Sequence, residues 1–320
     1  MAPTFSFRLP AGTEMTALPS TSAAATGRSA ALAGIGFMLV AVFLFTFNSA
    51  VGKWLVAKYP VGEFMLIRSL FTLLFLSPFI WHAGRTAFAN APRPSLQVLR
   101  VVLGAVEVAM FFWAVSYLPL ADTTTFYLAG PIYVTALSVL LLRERVGWRR
   151  WTAVLIGFMG VVIALRPSSS SFTLPALIAL AGSMTYALVL ITTRMLRATN
   201  DVVLMTTYFI GAIAFGLATL PLGWVTPTAY DLLCLAGVGF ANIVAQFAVI
   251  RSLKLASASV VVPYQYTLIV WSVVFGWLMF AELPDVYTVV GAGIIVAAGL
   301  YIFWREQVKA REAVAPAQIA

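Results

Sequence analysis

The chain has 320 residues, of which 62% are hydrophobic and only 10% charged, with a net charge of +9. A soluble domain is about half apolar and a quarter charged, so a water-soluble fold is excluded and a lipid solvent is implied. The positive charge does not imply nucleic acid, because the Lys and Arg residues sit in short clusters between apolar runs, as in Arg143-Glu144-Arg145 with Arg149 and Arg150, and form no basic face.

Residues 1–29 are rich in Ala, Ser, Thr and Pro without periodicity, which predicts a disordered cytoplasmic tail. No basic segment joins a short apolar stretch and cleavage site there, which disfavours a cleaved signal peptide, and Met15 is a candidate alternative start. A spanning helix needs about 20 mostly apolar residues. That length predicts ten spans, near 31–52, 61–81, 97–117, 121–142, 149–166, 173–193, 201–221, 229–250, 257–280 and 286–304. Pro119 separates the third span from the fourth, and Glu282-Leu283-Pro284-Asp285 separates the ninth from the tenth. Residues 305–320 are expected to form a second cytoplasmic tail. The fold class is therefore an all-α, multi-pass membrane protein.

With ten spans and both termini in the cytoplasm, sixteen of the 20 Lys and Arg fall on one side, against Lys53, Lys58 and Arg166 on the other. Such a bias sets orientation, and an odd number of spans would scatter the charges across both faces.

The chain also repeats itself. "SYLPLADTTTFYLAGPIYVTALSVLLLRERVGWRRWTAVLIGFMGVVIAL" and "RSLKLASASVVVPYQYTLIVWSVVFGWLMFAELPDVYTVVGAGIIVAAGLYI" each run through Leu-Ala into a helix interrupted by Pro, then reach a Glu (Glu144, Glu282) and a glycine-containing helix. Five helices per copy is odd, so the second copy inserts upside down. Inverted repeats of this kind carry a substrate site near the midplane between the halves.

These two segments resemble the paired EamA domains of the drug/metabolite transporter superfamily, with repeat 1 over 31–166 and repeat 2 over 173–304. The segment "FNSAVGKWLVAKYPVGEFMLIRSLFTLL" is most similar to the proteobacterial branch that includes riboflavin importers. The family pattern places Gly nine residues after the loop Glu; Gly291 fits, and Ala153 is a departure in the first half. The resemblance implies a secondary transporter of a small organic metabolite in the bacterial inner membrane. Riboflavin uptake is the specific expectation, and export of amino acids or related metabolites is the alternative on the same fold.

Among candidate site residues, Arg68 comes first. It lies a third of the way into the second span, where an unpaired charge would cost about 2.5–3.5 kcal/mol, so a partner, water or a ligand is implied. Glu107, in the middle of the third span, is the expected partner; the two line a cavity, orient substrate or carry a coupling proton, or else they lock the two helices together or Arg68 snorkels outward. Asn48 in the first span, and Asn242 and Gln246 on one face of the eighth, add polar atoms at membrane depth. Interhelical hydrogen bonding would account for them equally well.

The fourth and ninth spans carry Tyr127 with Gly130-Pro131 and Pro263-Tyr264-Gln265-Tyr266. Proline frees a backbone carbonyl, tolerated only against protein or a watery cavity. This makes those spans the expected walls of the site, with Tyr127, Tyr186, Tyr264 and Gln265 as contacts for a flat heterocycle with a polar edge. The other reading of such aromatics is interface belts and core packing. Glu144 and Glu282 are expected to cap helix ends or pair with basic residues, and Asp122 to sit at the positive end of a helix dipole. Gly157, Gly160, Gly291 and Gly293 are expected to let the fifth and tenth spans pack closely.

No P-loop, GxSxG, HExxH or paired catalytic carboxylates occurs, and Cys234 and His82 stand alone of their kinds, so no cofactor or metal is expected. A membrane-embedded enzyme would need clustered His and acidic residues at one face, which one His and sparse acids do not supply. The expected partners are a small-molecule substrate and the lipid bilayer. The oligomeric state is left open, a monomer included.

Overall fold

A computed structural model describes residues 21–89, 91–141, 148–165, 173–256 and 258–314. The first twenty residues, with Glu144 and Arg166, lie outside them. The described residues contain no strand, and ten rods follow one another along the chain. Repeat 1 comprises α1 (Thr21–Val56), α2 (Val61–Ala89), α3 (Pro94–Tyr117), a fourth rod broken into α4 (Leu120–Leu128) and α5 (Gly130–Leu141), and α6 (Trp148–Leu165). Repeat 2 comprises α7 (Leu174–Met195), α8 (Asp201–Thr219), α9 (Ala229–Leu255), a ninth rod divided into α10 (Ala258–Val261), a 3-10 segment (Val262–Thr267) and α11 (Leu268–Phe280), and α12 (Val286–Val314). Among the described residues, seven of these helices are long and apolar enough to cross a bilayer.

Two boundaries correct the sequence reading. Residues 21–29, expected in the tail, belong to α1, because the run Ala23-Ala24-Ala25 favours helix whatever it packs against. Residues 305–314, expected in the second tail, prolong α12 for the same reason, being composed of Arg, Glu, Gln, Lys, Ala and Val. Elsewhere side-chain caps fix where helices begin. Asn200 caps α8 by accepting the Val202 N–H at 2.8 Å, and Thr228 caps α9 by accepting that of Asp231 at 3.1 Å. Beyond the apolar part of α2, the chain turns at Gly84, whose φ of 72° suits a residue without a Cβ.

The helix pairs reveal the internal symmetry. α1 packs on α9, α2 on α8, α3 on α7 and α6 on α12. By position these are rods 1 with 8, 2 with 7, 3 with 6 and 5 with 10, a set unchanged when each rod of one repeat is exchanged for its counterpart in the other. The pairing is antiparallel. Along α1 and α9, Ser252 Oγ donates to the Gly34 carbonyl at 2.6 Å, and Asn48 Nδ2 donates to that of Val238 at 2.9 Å. The broken rods meet in the middle, where Ser272 Oγ of α11 donates to Thr124 Oγ1 of α4 at 3.0 Å. The fold is thus two mutually inverted five-helix repeats.

α6 and α12 approach closely, as their glycines suggested: a Cβ on Gly160 or on Gly291 would run into the other's carbonyl at 3.0 and 2.6 Å. Gly157 faces Ile132 and Ala298, whereas Gly293 faces open space and takes no part.

Candidate functional site

The site begins with a stretch of α2 that is buried all round, from Gly62 to Ser69 without a break. A helix with no exposed face lies inside the bundle, and Arg68 is carried there with only 5% of its surface exposed. Glu107 comes from α3, 7% exposed. The two do not form the direct pair expected of them: guanidinium and carboxylate stand more than 4.0 Å apart, though each feels the other's charge. Tyr208, from α8, takes the Glu107 carboxylate instead, donating to Oε2 at 3.4 Å. Arg68 lies over two rings, its Cζ 5.2 Å from the centroids of both Phe64 and Phe112. Ring faces attract a desolvated cation by up to about 2 kcal/mol each, which offsets part of its burial.

From Phe112 an unbroken run of rings leads to the second repeat. Phe112 meets Phe111 at 5.1 Å, Phe111 meets Tyr127 edge-on at 5.0 Å, and Tyr127 meets Tyr186 of α7 at 5.9 Å. Tyr127 also donates its hydroxyl to the Glu107 backbone carbonyl at 3.4 Å. Glycines make the seats. A Cβ on Gly104, one turn before Glu107, would lie 2.6 Å from the Tyr208 ring, and one on Gly182 would collide with the Tyr127 hydroxyl. The centre is therefore an aromatic cage holding one positive and one negative side chain, assembled from α2, α3, α4, α7 and α8.

Of the residues singled out by sequence, Arg68, Glu107, Tyr127 and Tyr186 come together here. Asn48 donates its Nδ2 to the Val238 carbonyl of α9 rather than to a residue of the cage. Tyr264 packs into a separate apolar cluster with Met38, Val42 and Val261, and Gln265 is exposed, so neither joins the cage. The 3-10 segment explains this: at three residues per turn, adjacent side chains point 120° apart. Tyr264 and Tyr266 go to α1 and to Gly299 of α12, leaving Gln265 the third direction. Asn242 and Gln246 are half-buried on α9.

A second polar cluster lies at the end of the bundle that bears few basic residues. Lys53, 7% exposed, donates to both Glu282 oxygens at 2.6 and 2.7 Å and to the Leu118 carbonyl at 2.8 Å. Glu282 also accepts the Leu120 N–H at 3.2 Å, capping α4, as a loop acid was expected to do. One ion pair thus ties the end of α1, the α3–α4 junction and the loop before α12, across both repeats. Beside it, Thr288 donates to Asp122 at 2.9 Å. Tyr59 donates to Asp231 at 2.7 Å, and Lys58 pairs with the same carboxylate at 3.2 Å.

Sequence reasoning missed Tyr208 and the bridge that Lys53 makes to Glu282. Tyr208 is one of 11 tyrosines in an apolar helix, and only the facing Gly104 marks it. Lys53 did carry a signal, as a lysine in the last turn of an apolar helix. Among the described residues no group of three or more His, Cys, Asp or Glu could hold a metal.

The family model described as the EamA-like transporter family matches residues 32–166 and again 173–304. The S-adenosylmethionine uptake transporter of Rickettsia prowazekii is 27% identical over 279 residues, covering 86% of this chain and 94% of that protein. The riboflavin transporter of Vibrio cholerae is 27% identical over 285 residues, covering 88% and 96%. The pseudopaline exporter of Pseudomonas aeruginosa is 28% identical over 270 residues, covering 83% and 94%.

Proposed function

The chain belongs to the EamA-like transporter family, and on that premise we propose that it is a secondary carrier for a flat heterocyclic metabolite, with riboflavin uptake as the activity to test first. The observation that carries this reading is the aromatic cage around Arg68 and Glu107, built jointly by the two inverted repeats. Ring faces sandwich a planar solute, and the two charges fix its polar edge. Alternating access then consists of opening the cage to one side while the other is closed. The Lys53–Glu282 pair closes one side. By the positive-inside bias that side is outward, and the protein sits in the bacterial inner membrane with both termini in the cytoplasm.

Uptake of labelled riboflavin by a vitamin auxotroph expressing the chain is the test. Arg68→Ala and Glu107→Gln are each expected to reduce uptake while leaving the amount in the membrane unchanged. Normal uptake by both variants would return the charges to a purely structural role.

A second substrate reading has its own support. A cage that holds a cation and a carboxylate separately suits a solute with both charges, and S-adenosylmethionine, named for the Rickettsia relative, is one. Labelled S-adenosylmethionine in the same cells separates the two. Failure to import either, together with tolerance to toxic amino acids, would favour export. Reporter fusions at both termini check the orientation.

A further inference from the structure

Glu107 has Tyr208 as a partner, whereas Arg68 is left incomplete. Its buried Nε–H meets no hydrogen-bond acceptor, and no described carboxylate lies within 4.0 Å of the guanidinium. The two ring faces at 5.2 Å satisfy charge but accept no directed N–H bond. A guanidinium offers a fixed planar fork of donors that fits two acceptors lying side by side in one plane, something a lysine ammonium cannot reproduce.

We propose that Arg68 is the specificity-determining residue of this carrier, its fork taking a flat two-acceptor edge of the solute while Phe112, Phe111 and Tyr127 hold the solute's plane. The inference rests on the carrier reading above and adds the chemical class of the ligand. That class is a planar group with two adjacent acceptors and no hydrogen between them. A carboxylate supplies it, as in the amino-acid end of S-adenosylmethionine; so does the carbonyl-and-imine edge of a fused heterocycle, as in the ring system of riboflavin.

The test uses fragments that need no knowledge of the natural substrate. Purified full-length protein in detergent is titrated with benzoate, whose edge has two acceptors, and with benzamide, which has the same plane but one acceptor and a donor. Binding is read as the rise in unfolding temperature. Benzoate is expected to bind about tenfold more tightly than benzamide, and Arg68→Lys, which keeps the charge without the fork, to erase the preference. Arg68→Gln is expected to erase it as well, while Arg251→Lys, exposed near the end of α9, retains it. Equal binding of the two fragments to the unaltered protein overturns the assignment, whatever the stability of the variants; so does a preference that survives in Arg68→Lys or in Arg68→Gln. The transport reading fails separately. A benzoate preference without uptake of riboflavin or S-adenosylmethionine removes the proposed substrates and leaves the role of Arg68 standing, and uptake without the preference does the reverse.

Discussion

Breaking the Lys53–Glu282 pair should open the end of the bundle it closes, and the size of the effect follows from its surroundings. In Glu282→Gln the amide can still accept the Leu120 N–H, but Lys53 is left as an uncompensated ammonium beside the Leu118 carbonyl. Severing a fully buried pair costs about 3–5 kcal/mol, and an exposed one contributes about 0–1. With the side chains 9% and 28% exposed, an intermediate value of about 2 kcal/mol applies. A loss of that size, felt only in the closed form, multiplies the open population roughly thirtyfold. Thr123, fully buried one turn into α4 beneath the pair, reports it when replaced by cysteine in a Cys234→Ser background. The rate of labelling by an impermeant maleimide added outside cells should rise about thirtyfold with Glu282→Gln. Lys53→Met should act in the same direction. Exchanging the two residues should not restore closure, because a carboxylate at position 53 would face the Leu118 carbonyl. Labelling within twofold of the starting rate, with protein at normal levels in the membrane, would refute the closing role.

Three further outcomes test the cage and its seats. Tyr208→Phe removes a long hydrogen bond to a carboxylate, worth about 1 kcal/mol at 3.4 Å; uptake of the transported solute should fall about fivefold with thermal stability little changed. Gly104→Ala places a methyl 2.6 Å from the Tyr208 ring, and such overpacking costs about 1–3 kcal/mol; the unfolding temperature and uptake should fall together, uptake further than in Tyr208→Phe. Asn48→Ala deletes one interhelical bond worth about 0.6 kcal/mol; uptake should stay within twofold, and a tenfold loss would put Asn48 back in the site.

Hydropathy and span length found the ten rods because lipid acts on each segment separately: every stretch of about 20 apolar residues must cross, whatever its neighbours do. The same local logic flagged Arg68 and Glu107, since a charge at membrane depth is costly in any fold. Composition misjudged residues 21–29 and 305–314, where helix propensity extends the rods beyond the apolar stretch.

What the sequence by itself determined was therefore the number of helices, their inverted duplication, the asymmetry of charge between the faces and the presence of charged groups in the interior. The rotation of each rod about its axis was decided only when the rods packed. That rotation turned Asn48 to a backbone carbonyl, sent Tyr264 into another cluster, left Gln265 exposed, and gave Glu107 to Tyr208 instead of Arg68. A helix advances about 100° per residue, so a small change in register moves a side chain from cage to lipid. The partners that fix the register, such as Gly104 under Tyr208 or Lys53 against Glu282, come from segments as many as 229 residues apart.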